Sequence, residues 1–161
     1  MGSAQQANKK ILMEFTKKQI DRYSRQIILK KVGVIGQKKL LKSSVLIVGA
    51  GGLGSPIAIY LAALGIGKIG IVDKDNVEIS NLSRQIIFET NDVNKNKSSA
   101  AISKLRKINP DIQLKSFNKN LTIININQIA KKFDLIVDGS DNFRTRFLIN
   151  DYCLKNKKIL V

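Results

Sequence analysis

The stretch Ser43–Gly54, SSVLIVGAGGLG, constrains the fold more than any other part of this chain. It opens as an unbroken apolar run of valine, leucine and isoleucine, with no polar alternation. A run of this kind reads as a strand covered on both faces, as in a parallel sheet. It then breaks into Gly49, Gly51, Gly52 and Gly54. The apolar segment Leu53–Leu64 follows as a helix, stopped by Gly65 and Gly67. Strand, glycine turn and helix in that order form half of a βαβ unit.

The rest of the chain repeats the alternation. KIGIVD is a second buried strand, and Lys97–Ile108 is an amphipathic helix closed by Asn109-Pro110. IQLKSF alternates as a strand, Asn127–Lys132 reads as a short helix, and FDLIVDGSD is another buried strand. Phe143–Lys155 is a helix, and KKILV begins a further strand. Upstream, Thr16 can cap a helix over KKQIDRYSRQIIL, and QKKLLKS reads as a short helical turn. Strands alternating with helices imply a Rossmann-like, doubly wound parallel α/β sheet with helices on both faces. The expected organisation is a leader or cloning scar over residues 1–15, a helical segment over 16–43 and a nucleotide-binding domain over 44–161. That domain is expected to be incomplete, because ILV stops within a strand.

In such sheets ligands bind beyond the carboxyl ends of the strands. Three motifs fall there: GAGGLG, DKD and DGSDN. Gly49, Gly51 and Gly54 form G-x-G-x-x-G, which turns the chain tightly, admits a phosphate to the backbone and packs the helix closely. Asp73, about 20 residues further on, is placed to accept hydrogen bonds from a ribose. These features fit an NAD-dependent oxidoreductase as well as an ATP site. The following residues favour ATP. Arg84 and Lys97 would face a second cluster of phosphate charge, and Asp141 at another strand end suits a Mg²⁺ ion. Asp75 is a further candidate for ribose or metal.

Composition removes other classes. The net charge of +16 invites a nucleic-acid reading, but the lysines are scattered and aromatics make up only 6%, so no stacking platform forms. Nothing approaches the ~20 apolar residues of a membrane span, and MGSAQQANKK lacks the apolar core of a secretory signal. A cytoplasmic protein is the default. With Cys153 alone and no histidine, neither an internal disulfide nor a zinc site is expected in this segment, and Cys153 reads as a small buried hydrophobe. In a chain that uses lysine by default, two arginines stand in the same phrase, SRQII, at Ser24–Ile28 and Ser83–Ile87.

Across Lys18–Val161 the phrases RYSRQIIL, VLIVGAGGLGSPIAIYLAALGIGKIGIVD, DNVEISNLSRQ, NKSSAA, INP and DGSDNFRTRFLIND resemble the N-terminal half of the enzymes that adenylate ubiquitin-like proteins. That group includes the bacterial molybdopterin-synthase and thiamine-pathway adenylyltransferases. The resemblance implies ATP-dependent activation of the C-terminal glycine carboxylate of a ubiquitin-like sulfur carrier ending in Gly-Gly, with release of pyrophosphate. It implies that Gly51 and Gly52 cradle the nucleotide and that Asp73 binds the ribose. Asn81 and Arg84, within Ser80-Asn81-Leu82-Ser83-Arg84, and Lys97 contact phosphates. Asp141 holds Mg²⁺, with Asn142 beside the nucleotide. Arg25 resembles an arginine finger that crosses a homodimer interface. Structural zinc belongs to the family's second half, outside this segment. A non-catalytic interaction subunit of the same fold is the third reading. Arg144 and Arg146 are left outside the expected site.

Overall fold

The computed structural model describes residues 15–161. The leader expected over 1–15 lies outside them except for Phe15, which is buried. Helix α1 spans Lys17–Ile27, capped by Thr16, whose side chain accepts from the Gln19 N–H while the Gln19 side chain accepts from the Thr16 N–H. Helix α2 spans Gly33–Lys42, longer than the turn expected over QKKLLKS. Gly33 and Gly36 lower the helix propensity of its first turns and hide it from pattern reading.

Strand β1 is Ser44–Val48, helix α3 Gly54–Leu64, strand β2 Lys68–Val72, helix α4 Lys97–Ile108 and strand β3 Gln113–Phe117. The short helix α5 is Ile126–Ala130, strand β4 Leu135–Asp138, helix α6 Phe143–Asn156 and strand β5 Ile159–Leu160. Among the described residues the strands form one parallel sheet in the order β3-β2-β1-β4-β5. The chain winds outward from β1 to β3, then returns to the other side of β1 for β4 and β5. The reversal lies between β1 and β4, where such sheets open a ligand crevice.

Period-two alternation along β1 divides the core. Val45 and Ile47 join the layer of α3 and α4 with Ala58, Ala62, Ala101 and Leu105. Leu46 and Val48 join the opposite layer of α5 and α6 with Phe133, Ile149 and Cys153. Every β1 residue is buried, which explains the absence of polar alternation in its sequence. Cys153 is 3% exposed, and burial raises its thiol above the ordinary value while the Lys158 charge lowers it. A thiol reagent such as Ellman's is therefore expected to leave Cys153 untouched in the folded protein and to titrate it fully in guanidinium.

The N-terminal helices clasp the end of the sheet from which β2 and β3 start. The Tyr23 ring lies against Gly65, and its hydroxyl accepts from Asn109 Nδ2 at 2.9 Å. Arg22 donates to the Ile108 carbonyl at 2.9 Å, Lys18 pairs with Asp111 at 2.9 Å, and Gln37 donates to the Leu64 carbonyl at 2.9 Å. These ties place α1 one strand length, about 16 Å, from the carboxyl ends of the strands.

Candidate nucleotide site at the strand ends

The carboxyl ends of β1, β2 and β4 border one open cleft of about 1430 Å³. The close approach of two turns shapes its floor. Gly49 has φ +91°, and a Cβ there would meet the Gly139 carbonyl oxygen at 2.7 Å. Only glycine fits both the left-handed backbone and the contact. Gly54, at the start of α3, packs so closely under the turn that a Cβ would stand 1.9 Å from the Gly49 oxygen. Gly51 is different. A Cβ there meets nothing within 4 Å, so this position is open toward the cleft, which it lines together with Gly52.

Asp73 follows β2 and braces the glycine turn. Its carboxylate accepts from the Ala50 N–H at 2.8 Å and the Asp75 N–H at 2.9 Å. Burial pushes the Asp73 carboxyl above the ordinary 3.8, while those two hydrogen bonds and the Lys97 charge pull it back. Because the folded carboxyl holds its proton more tightly than an unfolded aspartate, acidification through this range favours the fold. A ribose hydroxyl donates more strongly to an ionised carboxylate than to a protonated one, so with the expected ribose role for Asp73 nucleotide affinity should fall as acidification protonates it. Asp73→Asn should weaken binding at neutral pH and flatten that dependence, measured by calorimetric titration between pH 4 and 7.

Asn96 sets the position of Lys97. Its side-chain oxygen caps α4 by accepting from the Ser99 N–H at 3.1 Å, and its Nδ2 donates to the carbonyls of Asp73 and Asp75 at 3.3 and 3.1 Å. The first residue of α4, Lys97, is thereby held in the cleft wall, 8% exposed, with its ammonium 3.8 Å from Asp75. Arg84 arrives on the loop after β2. Its stem lies over Gly52, and its guanidinium donates to the Ser80 carbonyl at 3.3 Å. Beside it Gln85 is 4% exposed, and its Oε1 has no hydrogen-bond partner among the described residues. Across the reversal, Asp141 and Asn142 lie exposed at the exit of β4.

The structure thus brings Gly49, Gly51, Gly52, Asp73, Asp75, Arg84, Lys97, Asp141 and Asn142 into one lining. Gly54 sits beneath that lining, shaping the turn. Ser80, Asn81, Leu82 and Ser83 stand behind it. Asn81 is 6% exposed, and its side chain accepts from the Glu78 N–H, organising the single helical turn Ile79–Asn81 that presents Arg84. Arg25 is exposed on α1, at the opposite end of the sheet from the cleft of its own chain. The wall formed by Lys119–Ile124, after β3, was not expected, and Gln85, Arg144 and Arg146, which were left outside the expected site, also line the cleft. Asn96 carries a sequence signal that would have found it, an asparagine directly before an amphipathic helix; the 119–124 loop carries no periodic signal.

The match to the ThiF family model runs over residues 23–161. The chain belongs to the ThiF family. It is 51% identical over 138 residues to a probable molybdopterin-synthase adenylyltransferase of Porphyra purpurea, covering 86% of this chain and 36% of that protein. It is 46% identical over 149 residues to the sulfur carrier protein adenylyltransferase of Thermus thermophilus, covering 92% and 55%. Among solved structures, the E. coli tRNA N6-threonylcarbamoyladenosine dehydratase TcdA in complex with ATP superposes with a TM-score of 0.82 at 26% identity, covering 90% of this chain and 59% of that one. E. coli MccB with AMPCPP and MccA superposes at 0.77 and 30% identity, covering 86% and 43%. The chain spans between about a third and just over half of the curated relatives it matches.

ThiF membership and these structural neighbours agree with the doubly wound parallel sheet expected from the sequence. Among the described residues no helix is long and apolar enough to cross a membrane.

Proposed function

We propose that the chain is the ATP-binding half of an adenylyltransferase that activates the C-terminal glycine carboxylate of a ubiquitin-like sulfur carrier. The observation that carries this reading is one cleft joining a glycine turn, a ribose-type carboxylate and two further cations, Arg84 and Lys97. Two cations beyond the glycine turn suit the extra charge of a triphosphate better than the two phosphates of NAD. Relatives named as sulfur carrier and molybdopterin-synthase adenylyltransferases support the same reading.

In this reading Gly51 and Gly52 admit the phosphates, and Asp73 holds the ribose. The reaction joins an anionic carboxylate to the α-phosphate, breaks the α–β phosphoanhydride bond and releases pyrophosphate. The protein's part is to position two anions and offset the charge growing on the leaving group. Arg84 and Lys97 suit that part. No general base is required, since a carboxylate is ionised at neutral pH, so a chain without histidine suffices. Among the described residues no cluster of three metal-ligating side chains occurs. A lone exposed carboxylate fits Mg²⁺ brought in on the nucleotide, which keeps most of its waters. Asp141 would hold that ion, which supplies neutralisation of phosphate charge.

The site of Arg25 supports a homodimer reading. Its helix is tied to the far end of the sheet, so a role at phosphate requires the cleft of a second copy. Arg25→Ala and Arg84→Ala proteins, each strongly impaired alone, are then expected to regain activity when mixed, because one intact site forms. Absence of regain would refute the in-trans role.

Two measurements test the reading. ATP with Mg²⁺ should raise the melting temperature while NADH does not. Intact-mass spectrometry of a Gly-Gly carrier after incubation with the intact protein and ATP should show the gain of one adenylyl group. Stabilisation by NADH alone, with no adenylated carrier, would favour the oxidoreductase reading.

A further inference from the structure

The N-terminal part of α6 carries three side chains that helix stability does not explain. Arg144 lies in its first turn, where the helix dipole disfavours a cation. Arg144 has no ion pair among the described residues, whereas Arg146 nearby donates to the Ser140 carbonyl at 3.0 Å and stands 4.0 Å from Asp138. Phe143 and Phe147 are 75% and 65% exposed, and their rings pair at 6.5 Å on the water-facing side.

The arrangement has a direction. Arg144 and Leu148, four residues apart, line the cleft. Phe143 and Phe147 form the neighbouring row outside it. Ile123 and Ile124, also in the cleft lining, are 82% and 90% exposed. The cleft is larger than the roughly 300–1,000 Å³ of an ordinary small-ligand pocket. A nucleotide fills part of it and cannot also cover the aromatic row. A protein whose tail enters the cleft can cover the aromatic row and the exposed Ile123 and Ile124 as well.

The geometry points to the α6 row Phe143–Arg144–Phe147 as the docking surface for the protein substrate, with Arg144 pairing an acidic side chain near that substrate's carboxyl terminus. This rests on the adenylation reading and adds the residues that choose the protein. Aromatic anchors beside an arginine are the usual composition of a binding hot spot. Charge favours the assignment as well: with Arg84 and Lys97 assigned to phosphate in the adenylation reading, Arg144 is a further cation in the same lining, three residues beyond Asp141, left for a second anion.

The test uses the intact protein and a ubiquitin-fold carrier ending in Gly-Gly in ATP–pyrophosphate exchange, with KM measured separately for ATP and carrier. Arg144→Glu and Phe147→Ala should each raise the carrier KM about tenfold or more and leave the ATP KM and the melting temperature unchanged. Replacing the acidic residues in the carrier's last ten positions with lysine, one at a time, should identify one variant that restores Arg144→Glu. A raised ATP KM would assign Arg144 to the phosphates and overturn the inference. Loss of melting temperature in Phe147→Ala with unchanged carrier KM would assign the aromatic row to packing within the protein, also overturning it. Wild-type exchange with unaltered KM values in both variants overturns the inference alone. Absence of exchange in the wild type overturns it together with the adenylation reading.

Discussion

Arg84→Ala is expected to lower the adenylation rate about 10²–10³-fold while leaving the fold intact. The side chain is exposed, and the fold relies on it little: a stem resting over Gly52 and one hydrogen bond to the Ser80 carbonyl. The loop that presents it is held independently by the Asn81 contact to Glu78 and by the buried Ile87 and Phe88. Removing the guanidinium therefore removes charge at the phosphates without opening the core. Arg84→Lys should recover only part of the loss, since lysine is a point charge without the planar fork that grips two phosphate oxygens. Single-turnover formation of the acyl-adenylate measures the effect, and an unchanged melting temperature shows that the loss is chemical. A rate within twofold of wild type would remove Arg84 from the site.

The second large effect separates two glycines that look alike in sequence. In Gly54→Ala the new methyl group would stand 1.9 Å from the Gly49 oxygen, with backbone on both sides of the contact. Neither side can yield as a flexible side chain would, so the turn must move, at a cost of about 3 kcal/mol. Gly49 is held in turn by Gly139, so the shift passes to the β4 exit as well. Gly54→Ala is expected to lower the denaturation midpoint and abolish ATP binding together. Gly51→Ala meets open space and should keep the midpoint while weakening ATP binding, because the added methyl would enter the cleft at the turn proposed to admit a phosphate. Urea titration and calorimetry on the two variants check the contrast. Equal loss of stability in both would contradict the division.

The sheet was legible because burial on both faces removes polar alternation. Val45–Val48 and Ile69–Val72 read as strands for the reason that they are strands in the centre of a doubly wound fold. The strand-end residues were legible for a related reason: Gly49, Asp73 and Gly139 each follow directly on a mostly apolar strand, where the chain leaves it. Helix α2 was under-read because Gly33 and Gly36 suppress the local signal that tertiary contacts, such as Gln37 to the Leu64 carbonyl, restore. The wall at Lys119–Ile124 was missed because loops that gain their position from neighbouring strands carry no period. Gln85 and Arg144 become conspicuous only in three dimensions, one as a buried acceptor without a donor, the other as a cation where the helix dipole opposes it. Arg25 shows the converse. Its phrase matches that of Arg84 letter for letter, yet the two arginines lie at opposite ends of the sheet.

The most direct measurement of the central claim is exchange of labelled pyrophosphate into ATP by the intact protein, with and without a carrier ending in Gly-Gly. Exchange is expected to require the carrier's free C-terminal carboxylate, to need Mg²⁺ and to collapse in Arg84→Ala. Exchange that proceeds equally without the carrier, or no exchange together with hydride transfer from NADH, would contradict that claim.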